Sequence, residues 1–289
     1  MVYLNGELIP ASQATLSPFN HGFLYGYGLF ETIRTYNGAI FRLERHLERL
    51  YRSADILGMS TDLYSYNLGR ACYTVMEANR YSNARIRITV TTGNGDIVPN
   101  PPLGRGITVF VAAQPLKPLP QESYEQGFKV IIASWRRNSR SPLCRLKSIC
   151  YTENILARQA ARASGADEAL IFNEKGMLAE CSTSNVFLVK QGKLNTPPLD
   201  SGILPGITRE AVIELAYILG IPVQERNTRL AEIGQMDEIF LTNSILEIMP
   251  LTCIEDKIVG DGIPGPLTLQ IMGAYRQLVK DFQIKRPDR

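Results

Sequence analysis

The sequence predicts a mixed α/β chain folded as two domains, and three observations lead there. Short β-rich runs and segments of helical hydrophobic period both occur on either side of the chain's middle, the pattern of strands and helices packed together. The 289 residues exceed what a single core usually serves. Between the halves, AAQPLKPLPQESYEQG is polar and proline-bearing and reads as a joint. The boundaries drawn are 1–116 for a small N-terminal α/β domain, 117–126 for the linker and 127–289 for a larger C-terminal domain.

In the first domain, FRLERHLERL carries Arg42, Glu44, Arg45, Glu48 and Arg49, which alone read as the solvated face of a charged helix. ARIRITVTT reads as a strand. Gly93-Asn94-Gly95-Asp96 follows it and runs to Pro99, not into a helix, so it reads as a loop rather than a phosphate cradle. His21, beside Gly22, reads as structural.

In the second domain, Trp135 reads as packing, and Arg136, Arg137, Arg140 and Arg145 as solvated charge, with attraction of an anionic substrate as the alternative. Lys147 has apolar neighbours at Leu146 and Ile149 and stands just before ICYTENILARQAARAS. There Ile149, Ile155, Leu156 and Ala160 repeat at helical spacing and Gly165 marks the end, so Lys147 is expected at a strand-to-helix junction with Tyr151 about one turn on. NEKG at 173–176 signals a hairpin, and Glu180 leads from it towards the β-rich run Val186–Val189. Between them Ser182, Thr183, Ser184 and Asn185 are polar where a core strand would continue apolar. SGILPGITREAVIELAYILG turns at Pro205 and Gly206, then shows Ile213, Ala216 and Tyr217 on one helical face with Gly220 as the stop.

Each feature has an ordinary explanation: a solvated lysine, a strand-end glutamate, a capped helix. Together they have a chemical one. A lysine amine attacks a carbonyl when burial and neighbouring groups keep it partly neutral. A fixed carboxylate holds a proton on a pyridine nitrogen, which lets the ring take up a carbanion's electrons. The amides of Ile207 and Thr208 at a helix N-terminus, with the Thr208 hydroxyl, suit an anion. These are the needs of a pyridoxal phosphate site. Neither GxxxxGK[ST] nor GxGxxG occurs at a strand-helix junction, so the turn is not a nucleotide fingerprint.

The order ExSxxN with a following hydrophobe, then LxT at Leu194 to Thr196, then LPGITR, resembles the signature of the fold-type IV pyridoxal phosphate enzymes. That family comprises branched-chain and D-amino-acid aminotransferases and aminodeoxychorismate lyase. FNHGFLYGYGLFETIRTYNG and FRLERHLERL are similar to the family's opening, so the likeness runs from about Asn5 past Pro250. It implies two domains, the larger a pseudo-barrel of strands flanked by helices, with the cofactor in the cleft between them. It also implies a homodimer whose neighbouring subunit helps close the site.

By the same resemblance, Lys147 looks like the lysine that binds pyridoxal 5'-phosphate covalently, Glu180 like the partner of the pyridine nitrogen, and Tyr151 like the phenol near the ring oxygen. Arg49 looks like the phosphate-binding arginine, whose planar fork grips two oxygens at once. Leu204 is expected on the ring face, with Ile207, Thr208 and Ser244 completing the phosphate cup and Gly206 and Asn243 among the cofactor-binding residues. Ser182, Thr183, Ser184 and Asn185 are expected to hydrogen-bond a ring substituent or the phosphate.

The implied reaction is ping-pong transfer of an amino group from an α-amino acid to a 2-oxo acid, with a branched-chain-like L-amino acid favoured and a D-amino acid open. Arg34 in FETIR and Arg87 match arginines of branched-chain enzymes; either could hold an α-carboxylate, and both together could serve a second carboxylate. Tyr25, Ser244 and Ile245 complete the expected substrate contacts. Arg85 stands where the branched-chain pattern has tyrosine, and Ile245 and Leu246 where it has small residues. TGNGDIVPN lacks the arginine-x-histidine trap of the D-amino-acid enzymes. TNSILEIMPL, particularly Asn243, resembles the turn of aminodeoxychorismate lyase, the alternative, in which the same lysine and cofactor eliminate pyruvate. A non-catalytic protein of the same fold would be marked by loss of the lysine or glutamate, and both are present.

Bulk properties exclude other classes. Thirty-one basic against 28 acidic residues give +3 and no basic stripe for nucleic acid. Five cysteines without a CxxC pair and two histidines argue against a structural zinc site. No apolar run approaches a membrane span. The odd cysteine count and the lack of a secretory leader point to a reducing cytoplasm.

Overall fold

The computed structural model describes residues 1–99 and 106–284. It divides into two compact units: Met1–Lys117 with Leu146–Cys150 and the chain end from Asp281, and Pro118–Arg145 with Tyr151–Lys280. The stretch Leu146–Cys150, inside the range read from sequence as the second domain, is thus grouped with the first unit.

The first unit is built on β1 (Val2–Leu4), β2 (Glu7–Ile9), α1 (His21–Tyr25), β3 (Gly28–Tyr36), β4 (Ala39–Ile40), α2 (Leu43–Ile56), α3 (Ser60–Leu63), α4 (Leu68–Ala78), β5 (Ala84–Thr91) and β6 (Thr108–Pro115). Its six strands run β2-β1-β6-β5-β3-β4, each antiparallel to its neighbour. Asn5-Gly6 and Asn37-Gly38 turn the two outer hairpins, all four residues at positive φ, as a tight two-residue hairpin turn requires. In β5, Ala84, Ile86, Ile88 and Val90 are buried while Arg85 and Arg87 are exposed, so one sheet face enters the core and the other carries charge. The core face meets Leu29 and Ile33 of β3 and the apolar sides of α2 and α4. Along α2, Leu43, His46, Arg49, Leu50, Ser53 and Ala54 are buried on one helical face. Arg49 is therefore not on the solvated side of its helix.

The second unit contains α5 (Gln121–Gln126), β7 (Phe128–Arg137), α6 (Thr152–Ala163), β8 (Glu168–Asn173), β9 (Leu178–Cys181), β10 (Asn185–Lys190), β11 (Lys193–Thr196), α7 (Ile207–Ile218), β12 (Val223–Glu225), α8 (Leu230–Ile233), β13 (Glu238–Asn243), β14 (Glu247–Ile254), β15 (Lys257–Ile258) and most of α9 (Pro266–Ile284). Its nine strands run β12-β11-β10-β13-β14-β7-β8-β9, with β15 on β14. β7 pairs in parallel with both β14 and β8, a mixed arrangement that supports the expected α/β class.

Two helical faces differ from the sequence reading. In α6 the buried residues are Ala157 and Ala161, packed with Ala133, Ala169 and Ile171, while Ile155 and Leu156 are half exposed. Small residues let the helix backbone approach the sheet, and the alanines are masked in sequence by larger apolar neighbours. In α7 the buried stripe includes Ala211, Val212, Leu215 and Ala216, leaving Tyr217 exposed. Gly220, at φ +68°, follows the helix end as expected.

Candidate active site

In the first unit, Lys147 is held by backbone pairing with β3. Phe30 N donates to Lys147 O at 2.8 Å, Ile149 N donates to Gly28 O at 3.0 Å, and Leu29 bridges Ser148. Leu146 next to it is buried in the first core. The lysine thus lies on a short strand-like segment, not at the start of α6, which begins five residues later at Thr152. Its amine, on a half-buried side chain, sits 4.6 Å from the centroid of the Phe30 ring, and the Arg87 guanidinium carbon sits 4.0 Å from the same centroid.

Arg34 and Arg85 are direct cross-strand partners, and Arg87 follows two residues on, opposite Thr32. The strand period puts all three guanidinium groups on the sheet face that carries Phe30. Arg34 lies 4.7 Å over the Tyr36 ring, and Arg87 Nε donates to Thr89 Oγ1 at 3.2 Å. Tyr25, at the end of α1, is partly exposed and donates to the Ile97 carbonyl. His21 is buried and bonds the Asp96 carbonyl at 2.9 Å, which ties the 93–96 loop to α1, a structural role. Asn100, the last residue of TGNGDIVPN, lies outside the described residues.

The opposite face of β3 carries Glu31, fully buried among apolar side chains. Arg49 donates to it from Nε at 2.8 Å and from Nη2 at 2.7 Å, and His46 Nδ1 meets it at 2.8 Å. Burial opposes the Glu31 charge, but Arg49 and His46 outweigh it and hold its pKa down at about 2. Burial likewise pushes His46 below the usual histidine value despite Glu31, so its imidazole is kept neutral.

In the second unit, Glu180 on β9 is buried and its carboxylate is gripped on both oxygens. Arg137 pairs with Oε1, while Asn185 Nδ2 and Leu204 N donate to Oε2 at 3.0 and 3.1 Å. Asn185 Nδ2 also reaches Leu204 O at 3.0 Å, which joins β10 to the turn before α7. Gly206 is required there, because a Cβ would fall 1.9 Å from Asn185 Oδ1. Tyr151 donates to Ser182 O at 3.1 Å, and burial first, then the Glu180 and Glu168 charges, push its pKa up to about 12.

The polar run after Glu180 serves two other groups. The hydroxyls of Ser182 and Thr183 donate to the buried Glu168 carboxylate, the latter at 2.7 Å, so both are committed to that side chain. Asn243 Nδ2 donates to Ser184 Oγ at 2.9 Å and to Thr183 O at 3.2 Å, while its Oδ1 accepts from Ile245 N and Leu246 N at 2.9 and 2.7 Å. Asn243 therefore shapes the turn that presents Ser244 and Ile245. At α7, Gly206 is the N-cap and makes no side-chain cap bond; Ile207 and Thr208 open the helix and are buried.

Sequence reading misses three residues. Glu31 is detectable from its place between Leu29 and Ile33, because an inward-facing charge demands a partner. Arg137 belongs to a basic cluster that reads as solvated, but it is buried at the end of β7; burial works to lower its pKa, and the Glu180 and Glu153 charges overcome that and raise it. Glu168 opens β8 with no local sign of its two hydroxyl donors. Among the described residues, no group of three or more His, Cys, Asp or Glu could hold a metal ion, and no helix is long and apolar enough to cross a membrane.

The family model described as amino-transferase class IV matches residues 28–254, and the chain belongs to that family. The Escherichia coli K12 branched-chain-amino-acid aminotransferase is 33% identical over 281 residues, covering 95% of this chain and 91% of that protein. Aminodeoxychorismate lyase of Bacillus subtilis is 35% identical over 284 residues, covering 98% of this chain and 96% of that protein. Among solved structures, a T.th. branched-chain amino acid aminotransferase with pyridoxamine 5'-phosphate matches with a TM-score of 0.92 at 33% identity, covering 99% of this chain and 95% of that one. The likeness extends the fold-type IV expectation over nearly the whole chain.

Proposed function

We propose that this chain is a pyridoxal-phosphate-dependent aminotransferase that moves an amino group between an α-amino acid and a 2-oxo acid, with a branched-chain-like L-amino acid as the favoured donor. The observation that carries this reading is a buried carboxylate, Glu180, whose plane three donors fix, in a chain that also holds the Lys147 amine against an aromatic ring. The residues fit the cofactor. Helix α7 opens without a side-chain cap, so its first amides and the Thr208 hydroxyl suit a phosphate. The solved relative with pyridoxamine 5'-phosphate is in keeping with that fit.

When bound, pyridoxal phosphate supplies an aldehyde for amines and a ring that withdraws electrons from the substrate's Cα. Lys147 Nζ would hold the cofactor at its aldehyde and would serve as the base that moves the proton at the substrate's Cα. Glu180 holds the proton on the ring nitrogen, and Arg137 and Asn185 keep that carboxylate in place. Tyr151 stays protonated at neutral pH and donates near the ring oxygen. Arg49, Ile207, Thr208 and Ser244 take the phosphate, Gly206 allows the close turn, and Leu204 packs on the ring. Ser182, Thr183, Ser184, Asn185 and Asn243 set the shape of the strand and turn that present these groups. Arg34 and Arg87, with Tyr25 and Ile245, receive the substrate. We further place the protein in the cytoplasm as a homodimer with the site near the subunit interface; light scattering of the purified protein tests the dimer.

A second reading, aminodeoxychorismate lyase, is favoured by Arg85. Its guanidinium joins those of Arg34 and Arg87 on one sheet face, and such a concentration of positive charge suits a substrate with two carboxylates. The Asn243 turn in TNSILEIMPL points the same way. One experiment separates the two: a visible spectrum of cofactor-loaded protein with L- and D-amino acids added singly. Conversion of the cofactor to its amine form supports transfer and names the donor. No conversion, together with pyruvate release from aminodeoxychorismate, overturns transfer in favour of the lyase.

A further inference from the structure

Glu31 takes no part in the proposed reaction, yet both oxygens of its buried carboxylate are paired. Three charge-assisted or polar bonds converge on one carboxylate within an apolar core. Burying charges costs free energy that full pairing offsets without a clear surplus over apolar packing, so net stability alone does not account for this arrangement. An apolar trio would fill the same space.

The geometry of the pair is specific. Glu31 Oε1 takes Arg49 Nε and Oε2 takes Arg49 Nη2, so the carboxylate lies along one edge of the guanidinium in a two-bond fork. Two parallel bonds fix the plane of the guanidinium and stop its rotation about Cδ–Nε. The other edge, made by Nη1 and the second Nη2 hydrogen, is then aimed in one direction. His46, one turn before Arg49 on α2, clamps the same carboxylate from Nδ1 and prevents it from turning. β3 supplies Glu31 and also the ring and backbone that hold Lys147.

We infer that Glu31 is a positioning residue: it holds the Arg49 guanidinium so that its far edge meets the cofactor's phosphate. This rests on the proposed role of Arg49 in phosphate binding. Glu31 acts through Arg49 and touches neither cofactor nor substrate. His46, neutral and fixed by Glu31, steadies the carboxylate without adding a second positive charge beside Arg49. A preorganised arginine loses less freedom when it binds an anion, so the gain appears as affinity for the phosphate group specifically.

The test compares two aldehydes, pyridoxal 5'-phosphate and pyridoxal, which differ only in the phosphate. Dissociation constants for both are read from the visible band on wild type, Glu31→Gln, Arg49→Lys and the double variant, with the thermal midpoint as a control. Wild type is expected to prefer the phosphorylated aldehyde. Glu31→Gln is expected to reduce that preference by about tenfold or more, the size of a lost charge-assisted bond, with pyridoxal binding unchanged within about twofold. In the Arg49→Lys background, adding Glu31→Gln is expected to change the preference no further. A preference that survives Glu31→Gln, or an equal loss for both aldehydes, overturns the positioning role. Should Glu31→Gln give no cooperative melt, Glu31→Asp, which keeps the charge but withdraws the oxygens, is read by the same ratio and by the same criteria. A wild type that gains no band from either aldehyde overturns the cofactor reading itself.

Discussion

The Lys147 amine lies 4.6 Å from the centroid of Phe30, and Phe30 is also the residue whose backbone N–H bonds the Lys147 carbonyl. One β3 residue thus sets both the main chain and the tip of the lysine. A cation over an aromatic face gains roughly 0.5–2 kcal/mol, enough to select one among the rotamers of a long side chain.

Lys147→Ala is expected to abolish covalent retention of the cofactor and to lower turnover by at least about a thousandfold, within the span general acid–base groups contribute. Borohydride reduction of the loaded protein followed by peptide mass spectrometry checks it. Wild type should show the added mass on the peptide containing Lys147, and the variant none.

Arg137→Ala leaves the Glu180 carboxylate buried without its counter-charge. The expected loss is about 3 kcal/mol of stability, measured by chemical denaturation, together with weaker cofactor binding. An unchanged midpoint would mean that Asn185 and the Leu204 amide are sufficient partners.

Gly206→Ala would place a methyl 1.9 Å from Asn185 Oδ1. Displacing Asn185 removes one bond to Glu180 and one to Leu204, and the crowding itself costs about 1–3 kcal/mol. Cofactor affinity and the thermal midpoint should fall together; Gly206→Ala with wild-type affinity contradicts the close approach.

Acid stability reports on Glu31. Its pKa is lowered on folding from an ordinary 4.5 to about 2, so the stability it contributes is present above the unfolded value and is lost as pH falls through the folded one. Denaturation midpoints are expected to drop between about pH 4.5 and pH 2, and Glu31→Gln to flatten that limb. A limb unaltered by the substitution removes Glu31 as its source.

Arg85 tests substrate choice. Arg85→Ala, at an exposed strand position, should leave the thermal midpoint unchanged and reduce kcat/KM for substrates with two carboxylates by about tenfold, sparing those with one. An equal effect on both kinds assigns Arg85 to general attraction.

Locally encoded features are legible in the sequence and those assembled from afar are not. The strand ARIRITVTT, the NEKG hairpin and the turn into α7 depend on neighbouring residues, and each is where the sequence puts it. Sequence spacing has Lys147 leading into α6, because its actual backbone partner, Phe30, is more than a hundred residues away in the chain. Arg137 hides in a basic run, since nothing local distinguishes the one arginine whose neighbour in space is Glu180. The α6 alanines are overshadowed by Ile155 and Leu156, whose hydrophobicity signals burial even where the backbone turns them outward.

The pairing of residues 147–149 with β3 also has a consequence for synthesis of the chain. β3 pairs with β5 along one side, and at Gly28 and Phe30 it pairs with Ile149 and Lys147 as well. A nascent chain that has emerged only as far as Lys117 lacks that second partner and presents β3 with an open edge, the kind of surface that recruits stray strands. The Gly28–Phe30 stretch of β3 gains its second partner only when residues 147–149 arrive, so a release or cleavage before residue 147 is expected to yield a sticky fragment rather than a dormant half-protein.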